Sequence, residues 1–460
     1  MQNMKNNFFS FLNFSRIFSF VLFLFFLCIL IFIFYREYYF YAGIKIPSSN
    51  LYYSLSFLGI MFSFMVFFLP SSISKKIFLM CLSIIITIYI LEYSINYINF
   101  KDTLRISLAK KNNVVYDKRT IFEVVKDLKK NNKKVQIAFP TIGYVPPTGI
   151  KFEDKNIYPL GGISNSLTVL CNETGKWSTY FSDIYGFNNE SDLWNEKIDV
   201  VLIGDSYVHG DCVEQNDNIA GQLKIKSKKN ILNLGFRGNS PYLQYATLKE
   251  YGLEKIPKDI FWFFSEENDF EDIIRDQNKK IFNNYLNKDY SQNLKNFQNQ
   301  IDEELEELHK SIIFFRNIKL QNLRQNFINN LSINKIFSKT ENKKYKINTE
   351  NKKYEINKNA EKIFFDIIKN LKEITKDKKI NLHIVYLPSH ARYISKDYSA
   401  LFESIKDMSD TLNINFIDIN ENVFMVSGDP LSYFPFKINS HYTEEAYSKI
   451  SDVLLESIKY

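Results

Sequence analysis

Residues 198–210 read IDVVLIGDSYVHG, an apolar run broken only by Asp199 that stops abruptly at Gly-Asp-Ser. The run predicts a buried strand over 198–203, and Gly204 permits a tight turn at its carboxyl end. In open α/β sheets that edge is where ligands bind. Ser206 is therefore a candidate nucleophile; the plainer alternative is that it only caps the helix that follows.

Three further stretches bear on that choice. Asn230–Pro241, NILNLGFRGNSP, is a second apolar strand that breaks into two glycines before Ser240-Pro241, a helix start with Ser as N-cap and Pro at the first helical position. Asp259–Phe270, DIFWFFSEENDF, is a third strand whose carboxyl end carries Asn268-Asp269, so an amide donor is presented at the same sheet edge. His441 comes late, in FPFKINSHYTEEAY, ahead of Thr443 and two glutamates that read as an N-cap and first helical turn. A base thus arrives from the last loop.

In that order, these residues resemble the SGNH, or GDSL-type, hydrolase superfamily over roughly 195–275 and 380–460. The resemblance implies a nucleophile at Ser206, an oxyanion hole made by the Ser206 N–H, the Gly238 N–H and the Asn268 side chain, and a base at His441. Gly235 fits the oxyanion glycine less well, because the family places it several residues beyond the Asn that ends the strand, here Asn233. The chemistry is coherent, since a serine needs a base to attack an ester and the developing oxyanion needs preorganised donors.

Two departures from the family pattern stand out. Glu266 occupies the place of the glycine that opens the third block. Ile438 occupies the place of the aspartate three residues before the histidine, and Asn439 follows it. Losing that carboxylate is costly, since Asp→Asn in a triad protease lowers kcat by about 10⁴. Either Asp429, in SGDPLSYFPF, supplies it from the preceding turn, or a Ser-His dyad works with a backbone carbonyl holding the ring. Of the other histidines, His209 is expected to pack or line the cleft. His309 is expected among charges on a surface helix, and His383 inside a strand. His390, with Arg392, lies on a loop at the active edge, where an anionic or sugar substrate could bind.

The first hundred residues predict a membrane anchor of three helices, about 17–35, 51–69 and 77–96. Ile17–Tyr35 is an uncharged stretch of nineteen residues, long enough for a hydrocarbon core of about 30 Å. Leu51–Leu69 is a second, closed by Pro70, and Ile77–Leu91 a shorter third before Glu92. No small-residue cleavage site follows the first run, so an anchor is expected rather than a cleaved signal peptide. Lys5, Arg16, Lys75 and Lys76 favour a cytoplasmic N-terminus with the large domain outside, against Arg36, Lys45, Lys101, Arg105, Lys110 and Lys111. Of four cysteines, Cys28 and Cys81 fall within spans, leaving Cys171 and Cys212 either as a disulfide permitted by an oxidising compartment or as two buried thiols.

Residues 101–195 are expected to form a juxtamembrane helix and a leader rich in turn residues and aromatics. Trp177, Tyr180, Tyr185 and Phe187 there are either a sugar-stacking wall or packing over the sheet edge. The leader, GDSYVHG and FPFKINSHY together look like membrane-attached bacterial members of the superfamily. Residues 196–460 form the SGNH-like domain, a three-layer α/β/α sandwich with a mainly parallel five-stranded, flavodoxin-like sheet. Its strands are expected near 198–203, 230–234, 259–264, 380–386 and 414–418. A Lys/Asn-rich insertion spans about 276–360. Its first half is helical by period and is expected to be a lid or a partner-docking arm; its second half carries NKKYKIN and NKKYEIN, a near repeat in a solvated linker.

The net charge of +7 is dispersed, and no nucleic-acid module, phosphate loop or metal-ligand spacing appears, so neither nucleic acid nor a cofactor or metal is expected. A basic face at a membrane would meet anionic lipid or an acidic glycan. The expected activity is hydrolysis of O-acyl, above all O-acetyl, esters of cell-envelope glycans or lipids through an acyl-Ser206 intermediate. An O-acyltransferase fed by a membrane acyl-donor partner, a weakened domain that binds glycans or partners, and an assembly protein are the other readings.

Overall fold

The computed structural model describes residues 14–35, 49–99, 104–132, 134–152, 155–317 and 352–458. The chain divides into two units, the first within residues 1–102 and the second holding the described remainder. The near repeat at 342–348 lies outside the described residues, as do Lys5, Arg36, Lys45 and Lys101.

The first unit contains helices α1 (Phe14–Tyr35), α2 (Ser49–Phe68) and α3 (Ser71–Asn99). Gly59 lets α2 approach α1 closely, because a Cβ there would lie 2.4 Å from the Phe26 ring. The Ser19 hydroxyl donates across the same contact to the Ser63 carbonyl at 2.6 Å, which satisfies a polar group between two apolar helices. Among the described residues two helices, Phe14–Tyr35 and Asn50–Phe68, are long and apolar enough to cross a membrane. The expected third span falls on α3, a continuous helix in which Ile77–Leu91 carries no charge between Lys76 and Glu92.

In the second unit, α4 (Leu104–Lys111) and α5 (Ile121–Leu128) lead into a small sheet of β1 (Val135–Ile137), β2 (Leu167–Val169) and β3 (Thr179–Phe181). A capping box fixes the start of α5, with Thr120 and Glu123 each binding the other's backbone N–H. Val124 and Val125 then bury against Val135, Ile137 and Val169.

The main sheet has five parallel strands: β4 (Val200–Ile203), β5 (Ile231–Asn233), β6 (Asp259–Ser265), β7 (Asn381–Leu387) and β8 (Asn415–Asp418). Their spatial order is β8-β7-β6-β4-β5. All five fall where the sequence places them. Burial on both faces of β4, β5, β6 and β7 explains why their sequences read as largely continuous apolar runs rather than alternations, whereas β8, at the sheet edge, is only partly buried. Register aligns Val201, Ile260 and Leu382 on one face. These pack with α8 (Pro241–Thr247), α9 (Asp269–Asp276), α11 (Lys358–Asp377) and α12 (Ser399–Thr411), numbered in chain order after α6 (Ser206–His209) and α7 (Ile219–Ser227) and around α10 (Gln298–Asn317). Val200, Leu202 and Phe261 face the opposite layer, of α6, α7 and α13 (Glu444–Ile458). The result is the three-layer sandwich, with the carboxyl ends of β4, β5 and β6 at one edge.

A disulfide joins Cys171, in the leader, to Cys212, just after the Gly-Asp-Ser turn, with 4.9 Å between their Cα atoms. It closes a loop spanning 41 residues, and in the chain-entropy account such a crosslink contributes about 4 kcal/mol. Cys171→Ala with Cys212→Ala is expected to lower unfolding free energy by about that amount in urea titrations, and alkylation of these two positions is expected only after reduction.

Candidate active site

β4 delivers the Gly-Asp-Ser turn to the sheet edge. Gly204 is required by close approach, since a Cβ there would sit 2.5 Å from Val208 and 3.2 Å from Phe263. Asp205 caps α6 by accepting from the Tyr207 N–H at 3.0 Å, which leaves Ser206 as the first helical residue. Burial lifts the Asp205 carboxyl to about 6, against the opposing pull of the Tyr207 N–H and the Asn268 amide.

The last loop brings His441 to that turn. Its Nε2 lies 3.0 Å from Ser206 Oγ. The partner of Nδ1 is Glu173, whose Oε2 lies 3.2 Å away and also accepts from the His441 backbone N–H at 2.8 Å. Arg105, on α4, donates to the other Glu173 oxygen at 2.8 Å. Burial pushes Glu173 up, but the hydrogen bonds and charges of His441 and Arg105 outweigh it and hold the carboxyl below its usual value. Burial lowers His441, yet Glu173 and Asp211 reverse this and raise the imidazole above its ordinary 6.5.

Asp429, one of the two supports expected for the histidine, is not at the imidazole. It is half exposed and paired with Lys437 at 2.5 Å, eight residues on, within its own turn. The histidine is not left to a backbone carbonyl either. Serine, histidine and an acid are in series, and the acid comes from the leader rather than the final block.

A second carboxylate, Asp211, also stands beside His441 without a signal in the sequence. Asp211 is fully buried and accepts from His209 Nδ1 at 2.9 Å and from Arg237 at 2.6 Å, with its Oδ2 3.8 Å from His441 Nε2. Burial opposes its charge, but Arg237 and the two histidines hold it far below the usual carboxylate range. Glu173, Cys212 and His441 converge in the fashion of a metal site, but the Cys212 sulfur is committed to its disulfide.

Of the oxyanion donors expected, Gly238 lines a cavity of about 420 Å³ together with Ser206, Asp211, Arg237 and His441. It adopts φ +77°, and a Cβ would meet Pro140 at 2.6 Å, so only glycine fits. Arg275 on α9 donates to the Gly238 carbonyl at 3.0 Å and ties that loop to the helix that Asn268 caps. Asn268 Nδ2 donates to Asp272 at 3.0 Å, and its amide also bears on Asp205.

Glu266 is buried and paired. It accepts from Arg392, from the Tyr386 hydroxyl at 2.8 Å and from the Ser389 N–H at 2.8 Å, pinning the loop after β7. Arg392 is thus occupied, and His390 contacts the Lys437 carbonyl at 3.2 Å. The leader aromatics are packing: the Tyr180 hydroxyl meets His209, Tyr185 sits edge-on to Trp194, Phe187 edge-on to Tyr251, and Trp177 donates to the Arg119 carbonyl.

Among solved structures the chain is similar to a protein of the G-D-S-L lipolytic family from Desulfitobacterium hafniense, at 13% identity over 56% of this chain and 98% of that one, TM-score 0.30. It is also similar to an acetyl xylan esterase, at 10% identity over 56% and 99%, TM-score 0.32. A protein described as an acylhydrolase from Bacteroides fragilis matches at 14% identity over 57% and 87%, TM-score 0.30. Neither a family model nor a curated protein matches the chain.

Proposed function

We propose that this chain is a serine ester hydrolase acting on O-acyl, chiefly O-acetyl, esters of envelope glycans or lipids. The observation that carries the reading is the series Ser206 Oγ to His441 Nε2 at 3.0 Å and His441 Nδ1 to Glu173 at 3.2 Å, opening on a cavity. His441 takes the Ser206 proton as Oγ attacks the ester carbonyl. Glu173 orients the ring and stabilises the imidazolium, and the Asp211 charge adds to that. The Ser206 and Gly238 N–H groups and the Asn268 amide receive the oxyanion. Collapse expels the alcohol, protonated by His441, and water repeats the sequence on the acyl-serine. A sugar hydroxyl in place of that water makes the same machinery an acyltransferase.

A weakened domain that only binds glycans or partners is the reading that a missing aspartate and Glu266 would favour. Glu173 and the Arg392 pairing account for both. The two apolar helices, whose Phe20, Phe25, Leu58 and Phe64 side chains are exposed, support an anchor in a membrane. The Cys171–Cys212 bridge supports an oxidising compartment for the catalytic domain. With full-length protein in detergent and an O-acetylated saccharide plus an unacetylated acceptor, free acetate is the expected product. Acetyl recovered on the acceptor with none released to water would replace the hydrolase with the transferase.

A further inference from the structure

His309 lies on α10, in the inserted segment, where the run IDEELEELHKS reads as a solvated helix. The structure instead buries it to 6% exposure in the wall of the catalytic cavity, with Ser206 and His441 among the other lining residues. On its other side His309 borders a second hollow of about 280 Å³, lined by Lys129, Lys134, Glu306 and Lys310 among others. Its ring leans on Phe139, at 5.8 Å between centroids, and Phe139 is edge-on to Tyr144 at 4.9 Å, both facing the cavity. The His309 Nε2 atom is buried without a hydrogen-bond partner. Burial, with the positive charge of Lys129, pushes the imidazole down to about 4, so at neutral pH it is uncharged, with one donor and one acceptor nitrogen.

A buried polar atom without a partner is disfavoured, and a cavity filled by a hydrocarbon chain would leave it so. A hydroxylated ring would satisfy the nitrogen and lay its C–H face on the aromatic pair. We propose that His309 is a substrate-specificity residue that hydrogen-bonds a hydroxyl of a saccharide-type alcohol half of the ester, against the Phe139 and Tyr144 wall. The proposal rests on the esterase reading and gives the insertion a part in substrate choice.

The test uses full-length protein in detergent with two acetyl esters, an O-acetylated methyl glycoside and 4-nitrophenyl acetate, whose alcohol half carries no further hydroxyl. In His309→Phe, the ratio of kcat/KM for the glycoside to that for the aryl ester is expected to fall about tenfold or more, chiefly through KM, and His309→Gln to recover part of it. Binding of the glycoside to Ser206→Ala is expected to weaken about tenfold when His309→Phe is added. An unchanged ratio together with unchanged binding overturns the proposal. Turnover of 4-nitrophenyl acetate that disappears with Ser206→Ala checks the esterase reading separately, and the binding measurement reads His309 even where no turnover is found.

Discussion

Glu173→Gln is expected to lower kcat by about 10⁴, the order seen when the buried acid of a serine protease triad becomes an amide. The amide preserves size and one acceptor oxygen, but it cannot offset the charge that forms on His441 as Ser206 loses its proton. A second readout separates this from mere damage to the leader. Catalysis needs His441 neutral, so kcat/KM rises with pH through the imidazole pKa, and in the wild type that limb lies above 6.5 because Glu173 and Asp211 outweigh burial. Removing the Glu173 charge withdraws part of that support, so the acid limb moves to lower pH even as the plateau falls. A plateau loss with an unmoved limb would take Glu173 out of contact with the base. Asp429→Asn, in its exposed turn with Lys437, is expected to leave turnover within about twofold.

The contrast between those two carboxylates shows where sequence reading stops. The five strands and the Gly-Asp-Ser turn are legible because each is encoded locally, by an apolar run ending in residues that permit a turn, whereas the roles of Gly238 and His441 come from the resemblance. Glu173 lies 268 residues before His441 and belongs to a different layer of the molecule, so no spacing connects them. One signal pointed there: Cys171 and Cys212 were a candidate pair, and a bridge between them sets Glu173 two residues from the nucleophile loop. Asp429 looked plausible because it precedes His441 closely, yet its own turn satisfies it with Lys437. The burial of His309 is hidden from the sequence for a related reason. The carboxylates of IDEELEELHKS fit a solvated helix, and only the packing of that helix turns His309 inward with Ile301 and Leu305. Glu266 departs from the family pattern, and its partner Arg392 lies 126 residues away, so its pairing is not legible from the stretch that contains it.

Ser206→Ala and His441→Ala are each expected to remove roughly 10⁶ of kcat, with the double variant no worse than either, because the nucleophile and its base act as one unit. The 3.0 Å contact between them makes this specific: without Nε2 the hydroxyl keeps its proton at neutral pH, and without Oγ there is no acyl acceptor. Labelling by a fluorophosphonate probe reads the same pair without any knowledge of the natural ester. Wild-type protein should label and both variants should not, while circular dichroism and membrane extraction stay unchanged. What remains after either substitution is the oxyanion pocket, and residual turnover should therefore still depend on Gly238, whose N–H it uses and whose φ of +77° no alanine can comfortably adopt. If Ser206→Ala instead kept full activity in folded protein, the chemistry would lie elsewhere, and the sandwich would stand as a docking module carrying an unused serine.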